Sequence, residues 1–207
     1  NSSNLSAWSA TGGTLTNNSG GTLDPSGLNT ASILNPTGGT TSGAYTANIT
    51  TSVSTEYTAS YYVKSNGSNF AGVGFYDATN ALLYVAIFNL TTGANTFSTG
   101  GITPLTAEND GNGWWRLSAK WTTAINTVAV TPLVYSYSSG GGGNPATSDK
   151  IYFWGPQYEK NFEASSYTPN PSTGSTARAP DNVQIVGASA TAVSSGTFSA
   201  IVEAKVK

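Results

Sequence analysis

The chemistry open to this chain is carried by rings, hydroxyls, amides and a few isolated charges, because it contains no Cys and no His. Thiol and imidazole catalysis are excluded, as are disulfides and the usual zinc, haem, iron–sulfur and copper sites. The catalytic set that remains is a pair of carboxylates, and glycoside hydrolysis needs two of them about 5–10 Å apart in a cleft. Glu108 and Asp110 share a turn, Glu159 and Glu163 lie close in sequence, and Glu56 opens an alternating stretch. No motif places a companion for any of them. The expectation is therefore no enzyme, no catalytic residue and no cofactor.

Recognition is better supplied. In 57–64, strand alternation separates Tyr57, Ala59, Tyr61 and Val63, a core set, from Thr58, Ser60, Tyr62 and Lys64. A tyrosine among hydroxyls and an amine suits stacking on a sugar face, or it packs half-buried between cross-strand neighbours. In 114–122, Trp115, Leu117, Ala119 and Trp121 fall on one side, and Trp114, Arg116, Ser118 and Lys120 on the other. Trp114 beside a Gly-Asn-Gly turn, with Arg116 two positions on, offers a cation–π ledge at a sheet rim or a structural anchor. Trp154 follows the core-like Phe153, so it either fills the opposite face or seats the segment that comes next. Tyr62, Lys64, Trp114, Arg116 and Trp154 are the glycan-binding candidates.

The elements that must position them are strands. Ser, Thr, Gly and Asn supply 100 of the 207 residues, yet 23 are aromatic, enough for a sizeable core. Alternating segments recur at 57–64, 70–76, 82–89, 114–122, 127–135 and 150–158, separated by turn-forming clusters such as Asn109-Asp110-Gly111-Asn112-Gly113. The first 50 residues carry one apolar residue every five to eight positions, the pattern of short edge strands in long loops. The fold class expected is all-β, an antiparallel β-sandwich of the jelly-roll kind over 1–160. Residues 161–181 hold three of the nine prolines and read as a connector. Alternation resumes in 182–207, read as the start of a further β domain or an exchanged strand.

Eight basic and ten acidic side chains are spread singly, which gives no track for nucleic acid or an anionic membrane. The longest apolar stretch, 81–88, falls short of the ~18 residues a spanning helix needs. Neither nucleic acid nor membrane is an expected partner.

Four stretches in order carry a family resemblance: Asn4-Leu5-Ser6-Ala7-Trp8-Ser9, Glu56-Tyr57-Thr58-Ala59-Ser60-Tyr61-Tyr62-Val63-Lys64, Asn112-Gly113-Trp114-Trp115-Arg116-Leu117-Ser118 and Ile151-Tyr152-Phe153-Trp154-Gly155-Pro156-Gln157-Tyr158-Glu159. Together they resemble a β-sandwich module of phage tail, fibre and head-spike proteins that is related to carbohydrate-binding modules. The resemblance covers about residues 1–185 and implies that the exit leads into a laminin-G-like domain. Related jelly rolls often hold a structural calcium closed by an acid on the last strand. Here the matching place reads Phe153-Trp154-Gly155, so no metal is expected, and Asp149 either caps a turn or lends an oxygen ligand.

The function the resemblance implies is a non-catalytic module of a virion tail, fibre or surface protein, positioning or mediating attachment, with a virion or extracellular location. Its expected partners are a glycan or host surface polysaccharide, bound weakly and without calcium, and other structural subunits, homo-oligomers among them. Tyr62, Trp114 and Arg116 are the first residues to test. The alternatives are a carbohydrate-binding module of a secreted polysaccharide-degrading enzyme and a structural repeat that packs on copies of itself.

Overall fold

The computed structural model describes residues 5–169 apart from Gly20 and Thr106. The second half of the expected connector, 170–181, and the expected further domain or strand, 182–207, lie outside the described residues. In chain order the strands are β1 (Ser9–Thr11), β2 (Gly13–Thr16), β3 (Ser32–Pro36), β4 (Ser42–Tyr45), β5 (Ile49–Thr50), β6 (Glu56–Asn66), β7 (Phe70–Asp77) and β8 (Leu82–Asn89). They continue as β9 (Asn95–Ser98), β10 (Ile102–Pro104), β11 (Glu108–Gly111), β12 (Trp114–Thr122), β13 (Ala129–Tyr137) and β14 (Lys150–Glu159). Among the described residues there is no helix.

The strands form two antiparallel sheets stacked as a sandwich. The first runs β1-β4-β13-β7-β8-β9 with β5 beside β13, and the second runs β10-β12-β6-β14-β3-β2 with β11 beside β12. The chain is thus an all-β sandwich, as its alternation predicts. Both expected core sets face inward: Ala59, Tyr61 and Val63 of β6 and Leu117, Ala119 and Trp121 of β12 pack against Val73 and Phe75 of β7 and Val134 of β13. Trp8, ahead of β1, sits edge-on to Tyr61 with ring centroids 6.1 Å apart, so the polar first segment is pinned by one large ring.

Two irregularities follow from residue type. Pro132 has no N–H to donate, and it lies in the middle of β13 where the neighbour on one side changes from β5 to β4, so no ladder bond is forfeited there. In β14 the pairing with β6 slips between Trp154 and Gln157, at Gly155-Pro156. Gly155 takes φ 56°, and a Cβ there would sit 3.0 Å from the Tyr167 ring and 3.2 Å from the Tyr62 ring. The bulge needs glycine both for its backbone and for the close approach of two rings.

Among the described residues several buried polar atoms lack a hydrogen-bond partner, the Tyr61 and Tyr158 hydroxyls of the core among them. The Tyr61 hydroxyl is buried without a hydrogen-bond partner, and burial drives its pKa far above the usual phenol value. Removing an unpaired buried hydroxyl relieves its desolvation cost. Tyr61→Phe is expected to leave the fold intact and raise stability by about 1 kcal/mol in urea unfolding. A loss of stability would mean that the hydroxyl has a partner in solution.

Candidate functional site

The sheet register brings all five sequence-derived candidates onto one patch, the outer face of the second sheet. Trp114 of β12 pairs with Lys64 of β6, Arg116 with Tyr62, and Tyr62 in turn with Trp154 of β14. The Tyr62 ring lies 5.5 Å from that of Trp154, edge-on, and the Arg116 guanidinium is 5.7 Å from the Tyr62 centroid. The cation–π contact of Arg116 is therefore made with Tyr62 and not with Trp114, because their opposed positions on adjacent strands bring them together.

This patch is roofed over by two segments distant in sequence. Loop 21–30 lies on one side: Trp114 Nε1 donates to the Leu23 carbonyl at 2.9 Å, Trp154 Nε1 to Thr30 Oγ1 at 2.8 Å, and Lys64 Nζ to Thr22 Oγ1 at 3.0 Å. The loop is shaped by Asp24, whose carboxylate accepts from the Ser26 and Leu28 amides, the Thr30 amide and the Ser26 and Thr30 hydroxyls. Burial alone would raise the Asp24 pKa, but these bonds outweigh it and hold the carboxyl below the usual range. On the other side runs segment 161–169, the described part of the expected connector. Arg116 donates to the Ser165 carbonyl, the Thr168 amide donates to Gln157 Oε1 at 2.8 Å, and Tyr167 packs 4.6 Å from Trp154.

Trp114 is consequently 2% exposed, Arg116 5% and Trp154 6%, while Tyr62 and Lys64 are half-buried. The expected Trp114–Arg116 ledge at an open rim is corrected: both indole N–H groups and the guanidinium are committed to the roof. The group is a small second core, and Trp154 both fills the opposite face and seats the exit segment. Burial raises the Tyr62 pKa, with Asp110 and Glu108 adding to the rise and Arg116 opposing it.

Apart from Glu108 and Asp110, which share β11 and interact electrostatically, the acidic residues have separate partners. Glu108 is 3.9 Å from Arg116 and mostly exposed, Glu56 is 3.7 Å from Lys120, and Glu159 accepts from the Ser165 amide and hydroxyl. Asp149 caps the turn before β14 by accepting from the Ala146 amide at 2.7 Å. Among the described residues no three acidic side chains converge.

The outer face of the first sheet presents a different surface, one that strand-by-strand reading missed. Tyr135 and Tyr137 of β13 have ring centroids 5.8 Å apart. Register places Tyr45 of β4 opposite Leu133 and Tyr76 of β7 opposite Thr131, on the same face. Burial raises the Tyr135 pKa, and the nearby Tyr45 and Tyr76 hydroxyls raise it further, so the Tyr135 phenol stays neutral and able both to donate and to accept. Tyr76 is 39% exposed, and Tyr45 and Tyr135 are half-buried. In the strands of this sheet the one charged residue is Asp77, fully buried and bonded to its own turn through the Thr79 and Asn80 amides. The legible signal was Gly43 in β4 and Gly72 in β7, bare positions over which the Tyr135 and Tyr137 rings lie.

No protein-family model and no curated protein matches this chain. Among solved structures it is similar to the enzymatically active domain of tailspike protein 4 of bacteriophage CBA120, at 15% identity and TM-score 0.46, over 75% of this chain and 20% of that one. It is also similar to the CBM22-1–GH10 modules of Clostridium thermocellum endo-1,4-beta-D-xylanase 10B complexed with xylohexaose, at 16% identity and TM-score 0.45, over 81% of this chain and 28% of that one. A CBM4 structure matches at 14% identity and TM-score 0.38, over 64% of this chain and 72% of that one. The chain spans less than a third of the first two. With identities of 14–16% and TM-scores below 0.5 these likenesses say nothing of role, and the β-sandwich rests on the strands themselves.

Proposed function

We propose that this chain is a non-catalytic β-sandwich module of a virion tail, fibre or surface structural protein, which positions or mediates attachment through weak, metal-independent glycan binding. The observation that carries the reading is the tyrosine face of the first sheet. Neutral phenols offer flat apolar rings with a hydroxyl at the edge, the pairing that sugar rings with their apolar faces and rims of hydroxyls require. With no charged side chain projecting from these strands, the ligand class is a neutral glycan. A sheet face encloses few ligand atoms, so affinity is low, with a dissociation constant near 1 mM, or about 4 kcal/mol. The covered patch on the second sheet then serves to hold the exit segment against the module. A carbohydrate-binding module of a secreted enzyme would use the same face, and the polypeptide encoded around the module distinguishes the two.

A glycan array probed at high protein concentration, with and without chelator, tests the reading. Weak retention on neutral glycans is expected, unchanged by chelator and reduced about tenfold by Tyr135→Ala, equivalent to about 1.4 kcal/mol. No retention would leave structural display as the function. Retention lost with chelator would require a metal site.

A further inference from the structure

The face just described is closed along one flank, which bears on the class of glycan it admits and therefore rests on the glycan reading. Segment 138–144, which follows β13 and contains four consecutive glycines, exposes Ser138, Ser139, Gly141 and Asn144 and keeps Gly140, Gly142 and Gly143 half-buried. It arches over the outer face: a Cβ at Gly140 would lie 2.9 Å from Thr96 and 3.2 Å from the Phe70 ring, and one at Gly142 would lie 3.4 Å from Ile87. Thr96 of β9 donates to the Gly140 carbonyl at 3.0 Å, and Asn144 donates to the Gly39 carbonyl, in the turn between β3 and β4, at 3.1 Å. The segment is thus a strap that starts on β13, crosses β7 and β8 and reaches β9, three strand spacings or about 14 Å. Beneath it the outward-facing Ile87 is 1% exposed and Tyr137 5%, whereas Tyr76, at the other end of the face, is 39% exposed.

We infer that strap 138–144 is the flank wall of the tyrosine face, and that it restricts the site to glycan chains that run across the strands and carry no branch on that flank. A chain lying along the strands would meet the strap within a few residues of Tyr135. A chain lying across them passes beside it, and a side branch pointing toward β9–Gly140 collides with backbone that is anchored at both ends. Glycine is needed here because the wall must approach Thr96 and Phe70 more closely than a side chain allows.

The test uses the full chain, wild type and with both anchors removed by Thr96→Val and Asn144→Ala, substitutions at exposed positions. Nitration by tetranitromethane, mapped by mass spectrometry, should modify Tyr76 and spare Tyr137 in wild type, and should modify Tyr137 in the double variant. Binding to cellohexaose and to xylohexaose is then compared with binding to their xylose- and arabinose-branched counterparts. Wild type should favour the linear chains at least tenfold. The double variant should lose most of that preference by gaining the branched ones, with affinity for the linear chains within twofold of wild type. Equal nitration of Tyr137 and Tyr76 in wild type overturns the strap as a cover. An unaltered preference, with Tyr135→Ala still losing the linear chains, overturns the wall and leaves the glycan reading standing. Binding of none of the four probes by wild type removes both.

Discussion

Trp114→Ala should destabilise the sandwich by about 3–5 kcal/mol, the cost of emptying a buried aromatic site, read as a fall in the urea midpoint. The ring is 2% exposed and packs with Ala31 and Trp154, and its N–H holds Leu23 of the roof. Were Trp114 a solvent-facing platform for sugars, the same change would stay within about 0.5 kcal/mol. Trp114→Phe separates packing from the hydrogen bond. It keeps most of the apolar volume, and Leu23, itself 56% exposed, can return its carbonyl to water, so a loss of only about 1–2 kcal/mol is expected. A large loss in both variants would assign the role to the N–H bond, and a small loss in both would reopen this face as a recognition surface.

The contrast between those outcomes shows where sequence reading succeeded and where it stopped. Alternation located β6, β7, β8, β12 and β14 and assigned the inward faces of β6 and β12, because burying one face of a half-polar strand leaves a period of two in the residues themselves. It placed β13 two residues early, at 127–135, since Thr127 and Val128 continue the β-branched run although the strand begins at Ala129. Strands β9, β10 and β11 left no such trace: Asn-Thr-Phe-Ser, Ile-Thr-Pro and Glu-Asn-Asp-Gly are short edge segments with little to bury. The five candidate residues were legible as types, and the registers of β12 and β14 on β6 bring them together. Their burial was not legible. It comes from loop 21–30 and segment 161–169, whose polar residues reach the patch through hydrogen bonds to indoles and a guanidinium, and no periodicity encodes such pairings. The tyrosine face escaped for a related reason, since Tyr45, Tyr76 and Tyr135 belong to three strands and become neighbours only through pairing on β13.

Acidification should weaken the fold through the two buried aspartates, and Asp77 is the one to change. Its carboxylate is fully buried and accepts from the Thr79 and Asn80 amides, from Asn80 Nδ2 at 2.7 Å and from Thr127 Oγ1 at 2.7 Å, tying the turn after β7 to the approach to β13. Burial by itself would raise its pKa, but the four bonds prevail and hold it below the ordinary aspartate value of 3.8. As pH falls below that value the unfolded chain takes up the proton first, so stability declines through this window and the contribution is complete above it. Asp24 acts in the same direction. Asp110 acts in the opposite one: burial and the neighbouring Glu108 raise its pKa, with Arg116 opposing, so protonation there favours the folded state. Asp77→Asn keeps the shape but turns one acceptor into a donor facing Thr127 and Asn80. It should cost about 1.5–3 kcal/mol at neutral pH, the range for hydrogen bonds to a charged group. Urea midpoints at pH 7 and pH 3 should then converge for variant and wild type, because the variant has no Asp77 proton left to bind. A gap between them that stays constant with pH would mean that Asp77 acts by shape alone, and that the acid sensitivity of this sandwich resides in Asp24 and the roof it holds over Trp114 and Trp154.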